Sequence, residues 1–258
     1  MTRCKFLGCP LDVLRPEEVL SRIHGAVRTG DSVRVEGLNV AKIIQAREDR
    51  VLMAALEEAE IVHLDGVGVA LGGRILGYHL PPRRTGCDLM LDLMPQAARD
   101  GYRVYFLGAT PEVVSEMVDE LRRRFPALQV VGTRDGYFGV DEEALVVDEI
   151  RSKNVDLLFV GISSPKKEIF VRRWWRSLGV KASVGVGGSF DVLSCRIKRA
   201  PRWVQRIGFE WLYRLFQEPR RLAYRYLSTN AVFAALVLRE ALGLNANGSA
   251  HEKHSRLY

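Results

Sequence analysis

Asp65 stands at the end of an apolar run, Ile61-Val62-His63-Leu64, and is followed by Gly66. A carboxylate placed at a strand end before a flexible turn would point into a ligand crevice, where it could take a proton from a substrate hydroxyl as a general base. The competing reading makes Asp65 the N-cap of a helix beginning near Gly68, and spacing alone does not separate the two. Asn39 closes the run at residues 33–38; it could orient a hydroxyl or a diphosphate, although an Asn after a strand is more often a cap. His63-x-Asp65 has no third ligand at suitable spacing and the chain has no Asp-x-Asp, so no metal and no other cofactor is expected. A bound diphosphate would have to be neutralised by arginines, lysines and backbone amides.

Two glycine turns could bring backbone close to phosphate or sugar: Gly108-Ala109-Thr110-Pro111, and Gly185-Val186-Gly187-Gly188-Ser189-Phe190-Asp191. Neither runs into Gly-Lys-Ser/Thr, and neither has the dinucleotide spacing at the first helix of a βαβ unit. Asp191 could hold a sugar hydroxyl or cap a helix. Downstream, residues 196–225 carry nine Lys/Arg against two Glu, with six aromatics interleaved (Trp203, Phe209, Trp211, Tyr213, Phe216, Tyr224). That surplus equals the net charge of the whole chain, +7, because the remaining 29 Lys/Arg and 29 Asp/Glu cancel. A phosphorylated ligand and an anionic membrane surface are the two targets it suits. Arg214, Arg221 and Arg225 would share a face if the helices on either side of Pro219 were collinear.

The elements that must position these residues alternate. Strands are expected at 33–38, 61–64, 103–107, 129–131, 157–160 and 182–186, and helices at 16–27, 40–59, 88–99, 111–125, 142–153 and 166–178. Such alternation predicts an α/β fold, a mostly parallel, doubly wound sheet flanked by helices, with ligands beyond the carboxyl ends of the strands. Pro111 suits a first helical position and Ser164 an N-cap. After about residue 195 the alternation stops, which divides the chain into a core, 1–195, and a basic helical appendage, 196–258, whose last 14 or so residues are polar and expected to fray. Trp203, Ile207 and Trp211 recur at helical spacing and are expected to pack on the core.

With 258 residues and 47% hydrophobic content a sizeable core is assured. Four cysteines without a CxxC pair point to a reducing, cytoplasmic compartment. The N-terminal apolar run is too weak for a signal peptide, and the longest uncharged apolar run, 231–238, is far below the roughly 20 residues of a spanning helix. Leu222, Tyr226, Val232, Phe233, Leu236 and Val237 beside the arginines suit an interfacial helix, although the same residues could bury a dimer interface.

Several blocks stand in order: Asn39, Asp65-Gly66, Arg83-Arg84-Thr85-Gly86-Cys87-Asp88, Tyr105-Phe106-Leu107-Gly108, Asp135-Gly136-Tyr137-Phe138 and Pro165-Lys166-Lys167-Glu168. Val186-Gly187-Gly188-Ser189-Phe190-Asp191, Arg199-Ala200-Pro201-Arg202-Trp203, Glu210-Trp211-Leu212-Tyr213-Arg214-Leu215, Glu218-Pro219-Arg220-Arg221 and Arg225-Tyr226 complete the series. The chain resembles the WecG/TagA/CpsF glycosyltransferases over roughly residues 5–227. The resemblance implies a Rossmann-like core and an inverting, metal-independent transfer of a sugar from a UDP-sugar to a sugar on undecaprenyl diphosphate, in cell-surface polysaccharide synthesis. It further implies a peripheral site on the cytoplasmic face of the bacterial plasma membrane, held through the appendage, with a homo-oligomer as an alternative state.

Carried over residue by residue, Asp65 resembles the base, Asn39 and Arg83 pocket residues, and Arg214, Arg221 and Arg225 the arginines that neutralise the diphosphate. The glycine turns at Gly108, Gly187 and Gly188, with Asp191, belong to the same substrate-binding set. Three positions depart from the pattern: Gly37 where many members have Thr, Lys167 where the usual PKQE block has Gln, and Cys195 where Gly is common. Lys167 could favour an anionic sugar such as a uronic acid over N-acetylmannosamine or glucose, by charge pairing. The competing classes are a catalytically weakened relative that binds lipid-linked glycan and scaffolds other enzymes, and a nucleic-acid surface, which would leave the strand-end residues idle.

Overall fold

The computed structural model describes residues 2–206 and 208–244, except for the side chains at 202, 206 and 220–227. Ile207 and the polar tail at 245–258 lie outside the described residues. A hairpin of β1 (Arg3–Phe6) and β2 (Cys9–Asp12) opens the chain, followed by α1 (Pro16–Thr29), β3 (Val33–Leu38), α2 (Val40–Glu48), α3 (Arg50–Glu57), β4 (Ile61–Leu64) and α4 (Val67–Ile75). Then come α5 (Gly86–Asp100), β5 (Arg103–Gly108), α6 (Pro111–Arg124), β6 (Gln129–Arg134), α7 (Glu143–Ser152), β7 (Leu157–Gly161), α8 (Lys166–Leu178), β8 (Ala182–Gly185) and α9 (Ser189–Leu193). The basic region supplies α10 (Arg202–Arg206), α11 (Glu210–Gln217) and α12 (Pro219–Ala241).

Six strands form one sheet in the order β4-β3-β8-β7-β5-β6, every neighbouring pair parallel. Both faces are covered, so the strands read as continuous apolar runs whose alternate residues enter different cores. Val104, Phe106, Leu157 and Phe159 face α1, α5 and α6, whereas Tyr105, Leu107, Leu158 and Val160 face α7 and α8. This is the Rossmann-like α/β arrangement expected from the alternation of elements. The chain sets β4 outside β3, crosses to lay down β5 and β6, then returns through β7 and β8 to fill the centre. Loops after β3, β4 and β8 therefore meet at one end of the sheet.

Three local expectations differ from the structure. The single helix expected over 40–59 is two, because the Asp49 side chain accepts from the Val51 and Leu52 amides and starts a new helix. The N-cap of α8 is Pro165, which leaves Ser164 Oγ buried and unpartnered. The β1–β2 hairpin was not anticipated: its strands have four residues each and turn through Leu7 and Gly8, both at positive φ, where Leu is a weak turn signal. It docks on the β4 edge through buried Asp12, which accepts from the Val62 amide at 2.7 Å and pairs with Arg3 at 2.8 Å.

In the basic region, Trp203 is 66% exposed, so it does not pack on the core as its spacing suggested. The helix that Pro219 opens does pack there. Phe233 and Val237 are buried in the core cluster that includes Phe6, Leu38 and Val69. Two residues expected to face a membrane are thus consumed by the interior. Gly72 makes room for them, since a Cβ there would lie 2.8 Å from the Phe233 ring. Phe233→Ala is expected to lower stability by about 3–5 kcal/mol through the cavity it leaves, read as a lower urea midpoint at unchanged slope. Among the described residues no helix is long and apolar enough to cross a membrane.

Candidate active site

Asp65 lies in the two-residue link between β4 and α4. The amides of Asp65 and Gly66 both donate to the Leu38 carbonyl, at 3.2 and 3.0 Å, which pins the link to the end of β3. Gly66 is required there, because a Cβ would sit 2.9 Å from Asn39. The carboxylate does not cap α4, whose N-cap is Gly66 with no side-chain bond. Instead Oδ1 accepts from the Gly86 amide at 3.2 Å and Oδ2 from Asn39 Nδ2 at 3.4 Å. Of the tasks considered for Asn39 the structure shows the cap: Oδ1 caps α2 through the Lys42 amide at 3.0 Å, while the amide end takes a further one, holding Asp65.

Gly86 was absent from the sequence-derived set, though a signal existed. Thr85 is the N-cap of α5: Oγ1 accepts from the Asp88 amide at 3.2 Å and donates to Asp88 Oδ2 at 2.7 Å. A Thr-x-x-Asp cap announces a helix N-terminus whose first amides have no partner within the helix, and one of these amides meets Asp65. Gly86 also abuts the turn after β8, since a Cβ on it would lie 3.1 Å from Val186 Cα. The β4 link, the α5 N-terminus and the Gly185–Gly188 turn therefore form one rim.

The basic region closes over this rim. Arg83 Nη2 donates to the Gln205 carbonyl of α10 at 2.9 Å, and Arg214 Nη2 of α11 donates to the Gly188 carbonyl at 2.8 Å. Arg199 spans between Asp88 and Glu210. Burial works against the Asp88 carboxylate, but hydrogen bonds from Arg199 and Thr85 hold its pKa below the ordinary value. Arg214 Nε is buried with no partner, so this guanidinium has spare donor capacity at the rim. Gly187, at φ +52°, faces open space, and Asp191 lies in the first turn of α9, close to Gly188. The side chains of Arg221 and Arg225 lie outside the described residues. Among the described residues, no group of three or more His, Cys, Asp or Glu converges as a metal site.

Two residues of the expected set stand away from Asp65. Gly108 ends β5, four strand spacings from β4 and so about 19 Å across the sheet. Its missing Cβ is demanded by a neighbouring strand, because a Cβ would come within 2.7 Å of Gly161 backbone atoms. Lys167 is buried on the opposite face of the sheet. Its ammonium bonds Glu36 Oε2 at 2.6 Å and also Glu168, while Lys42 bonds the same two carboxylates at 3.0 and 2.8 Å. The expected contact of Lys167 with an anionic sugar is therefore corrected: a desolvated ammonium takes the carboxylates beside it. Burial opposes both charges, yet Glu168 and Glu36 hold the Lys42 pKa above its ordinary value, and Lys167 and Lys42 hold that of Glu168 below.

Gly37 also gains a meaning. A Cβ there would lie 2.9 Å from Asp65 Cβ, so a threonine at 37 would need Asp65 to shift, and glycine lets Asp65 lie close against β3.

A parallel sheet flanked by helices, with a held carboxylate and arginines at the carboxyl ends of its strands, places the chain among Rossmann-like α/β proteins. Over residues 4–247 the sequence matches the Glycosyl transferase WecG/TagA/CpsF family, and the chain belongs to it. It is 36% identical over 168 residues to an N-acetylglucosaminyldiphosphoundecaprenol N-acetyl-beta-D-mannosaminyltransferase of Bacillus spizizenii, a stretch that spans 65% of each chain. A protein of the same name from Bacillus subtilis is 32% identical over 195 residues, covering 76% of this chain and 75% of the relative.

Proposed function

We propose that this chain transfers an N-acetylmannosamine-type sugar from a UDP-sugar to the sugar of an undecaprenyl-diphosphate-linked acceptor, inverting the anomeric centre without a metal. The observation that carries the reading is Asp65, held by the Gly86 amide and Asn39 at a rim that Arg83 and Arg214 tie to the basic region. A carboxylate offers about four lone-pair positions, of which two are taken, so an incoming hydroxyl has a place to bond. The hydroxyl oxygen attacks the anomeric carbon, its proton passes to Asp65, and the sugar–phosphate bond breaks with its electron pair leaving on UDP. One base and one stabilised leaving group suffice for this single displacement. Arg214, with Arg221 and Arg225, neutralises the diphosphate charge, and residues 196–258 act as the appendage that completes the crevice. With Lys167 committed to carboxylates, the charge-pairing argument for a uronic acid falls away, and the donor proposed is the neutral sugar.

The names of the two relatives support the acceptor class. The localised basic segment supports peripheral attachment at the cytoplasmic face of the membrane, where each Lys or Arg near an anionic surface contributes about 1 kcal/mol. The deciding assay is UDP release with a panel of UDP-sugars and a short-chain prenyl-diphosphate-linked N-acetylglucosamine. Turnover with UDP-N-acetylmannosamine that requires the acceptor is expected. Turnover with a uronic-acid donor alone, or donor binding without turnover in the folded chain, would overturn the reading.

A further inference from the structure

His63 lies on β4, two residues before Asp65, and is 3% exposed, yet its Nε2 is buried with no hydrogen-bond partner. Such atoms are rare in folded proteins and call for a cause. Parallel pairing sets His63 beside Gly37, and period-two alternation puts Gly37, His63 and Asp65 on one face. Distances confirm this: a carbon built as Cβ on Gly37 would lie 3.3 Å from His63 Nε2 and 3.2 Å from Asp65 Cγ. A side chain at 37 would press on both groups, so glycine there keeps the space between the imidazole and the carboxyl open.

This setting disfavours the protonated imidazole. Burial lowers its pKa, Asp65 opposes, Lys42 reinforces and Glu36 opposes, and the ring bonds the Leu64 backbone. Arg84, the remaining charged group beside the ring, is committed to Asp92 at 2.6 Å. With its other edge bonded to backbone, an uncharged ring has Nε2 as an acceptor on the face that it shares with Asp65. An ionised Asp65 is also acceptor-only, so the two cannot bond in the resting state. A protonated Asp65 has an O–H to donate. The bond from Asn39 to Asp65, at 3.4 Å, is at the loose end of hydrogen-bond distances and allows the carboxyl to tilt.

We infer that His63 is a positioning residue for the base: its Nε2 accepts the hydrogen bond that Asp65 donates once it has taken the proton of the acceptor hydroxyl. This rests on the reading of Asp65 as the base. The arrangement favours the protonated carboxyl only after proton transfer, which is when stabilisation accelerates the step. No further group changes charge, and the proton leaves from Asp65 to solvent when the product departs.

The test combines spectroscopy with kinetics on the full chain. In 15N spectra of the imidazole, Nε2 is expected to be unprotonated, and Asp65→Asn, isosteric with the protonated acid, is expected to shift it. An Nε2-protonated ring, or spectra unchanged in Asp65→Asn, would overturn the inference whether or not the chain turns over. In steady state, His63→Phe is expected to lower kcat about tenfold with KM little changed, and His63→Gln, which restores an acceptor, to stay within about threefold of wild type. Equal kcat for the Phe and Gln variants would count against it. Absence of turnover in wild type with the spectral coupling intact would instead remove the transferase reading and leave the His63–Asp65 pair standing.

Discussion

Asp65→Asn is expected to lower acceptor-dependent kcat by about 10²–10⁴-fold, the range supplied by one positioned general base. The substitution keeps shape and an acceptor for the Gly86 amide, so the link between β4 and α4 should stay pinned by the two amide bonds to Leu38. What it removes from the chemistry is the ability to take a proton. Donor and acceptor KM values are accordingly expected to change little, and the thermal midpoint by no more than a few degrees. The change also sets the new amide beside Asn39 Nδ2, a donor facing a donor, which Asn39 relieves by the small tilt its 3.4 Å bond already permits. Turnover within threefold of wild type would remove Asp65 from the mechanism. Loss of both turnover and folding would show that the carboxylate serves mainly to hold the α5 N-terminus.

Lys167→Gln carries the second large effect, and on stability instead of donor choice. The buried cluster holds two carboxylates, Glu36 and Glu168, against two ammonium groups, Lys42 and Lys167. Removing one cation leaves an uncompensated carboxylate in the interior, which costs about 3–5 kcal/mol when no relaxation offsets it. The amide of Gln can still donate a hydrogen bond, so the lower end of that range is expected. The preference between neutral and acidic UDP-sugars should stay as in wild type.

The pH dependence has a definite sign. The pKa of Glu168 lies below its ordinary value of 4.5 in the folded chain, so its contribution is present above that value and is lost as pH falls through the folded one. The pKa of Lys42 lies above 10.5, so its contribution is present below that value and is lost as pH rises through the folded one. The difference in unfolding free energy between wild type and Lys167→Gln should therefore be largest near neutrality and shrink below about pH 4.5, where the variant can neutralise its spare carboxylate. A difference that is flat across pH, or a switch in donor preference, would contradict the account.

These two residues stand at opposite ends of what could be read from the chain. Asp65 was legible because its evidence is local: a short apolar run ends in a carboxylate and a glycine, and a strand end is where parallel sheets receive ligands. The same locality explains why α8 was placed over its observed span and why the strand at residue 157 was placed correctly. An amphipathic period and a run of β-branched and aromatic residues are properties of neighbours in sequence. The break between α2 and α3 was missed although its cause, the Asp49 cap, is local; a capping residue inside a good helical pattern is easily overrun by the pattern around it.

Lys167 was misread because its partners are remote. Glu36 lies 131 residues away in sequence, and only the docking of α8 against β3 and β8 brings the two to 2.6 Å. A lysine beside a sequence-defined site looks like a ligand contact until burial decides that desolvation must be met by carboxylates. Phe233 and Val237 illustrate the same rule from the apolar side. Their pattern describes an amphipathic face, but which surface it covers depends on whether a partner such as Gly72 leaves room.

By itself, then, the chain determined its parallel α/β class, its strand-end carboxylate, its localised positive charge and the family to which it belongs. Each of these is carried by adjacent residues or by their order. Tertiary structure alone decided that the Gly86 amide and Asn39 hold Asp65, that Gly37 brings His63 beside it, and that Lys167 serves the interior. Those are contacts between residues remote in sequence, and they are set by which groups are desolvated together, which exists only once the chain has folded.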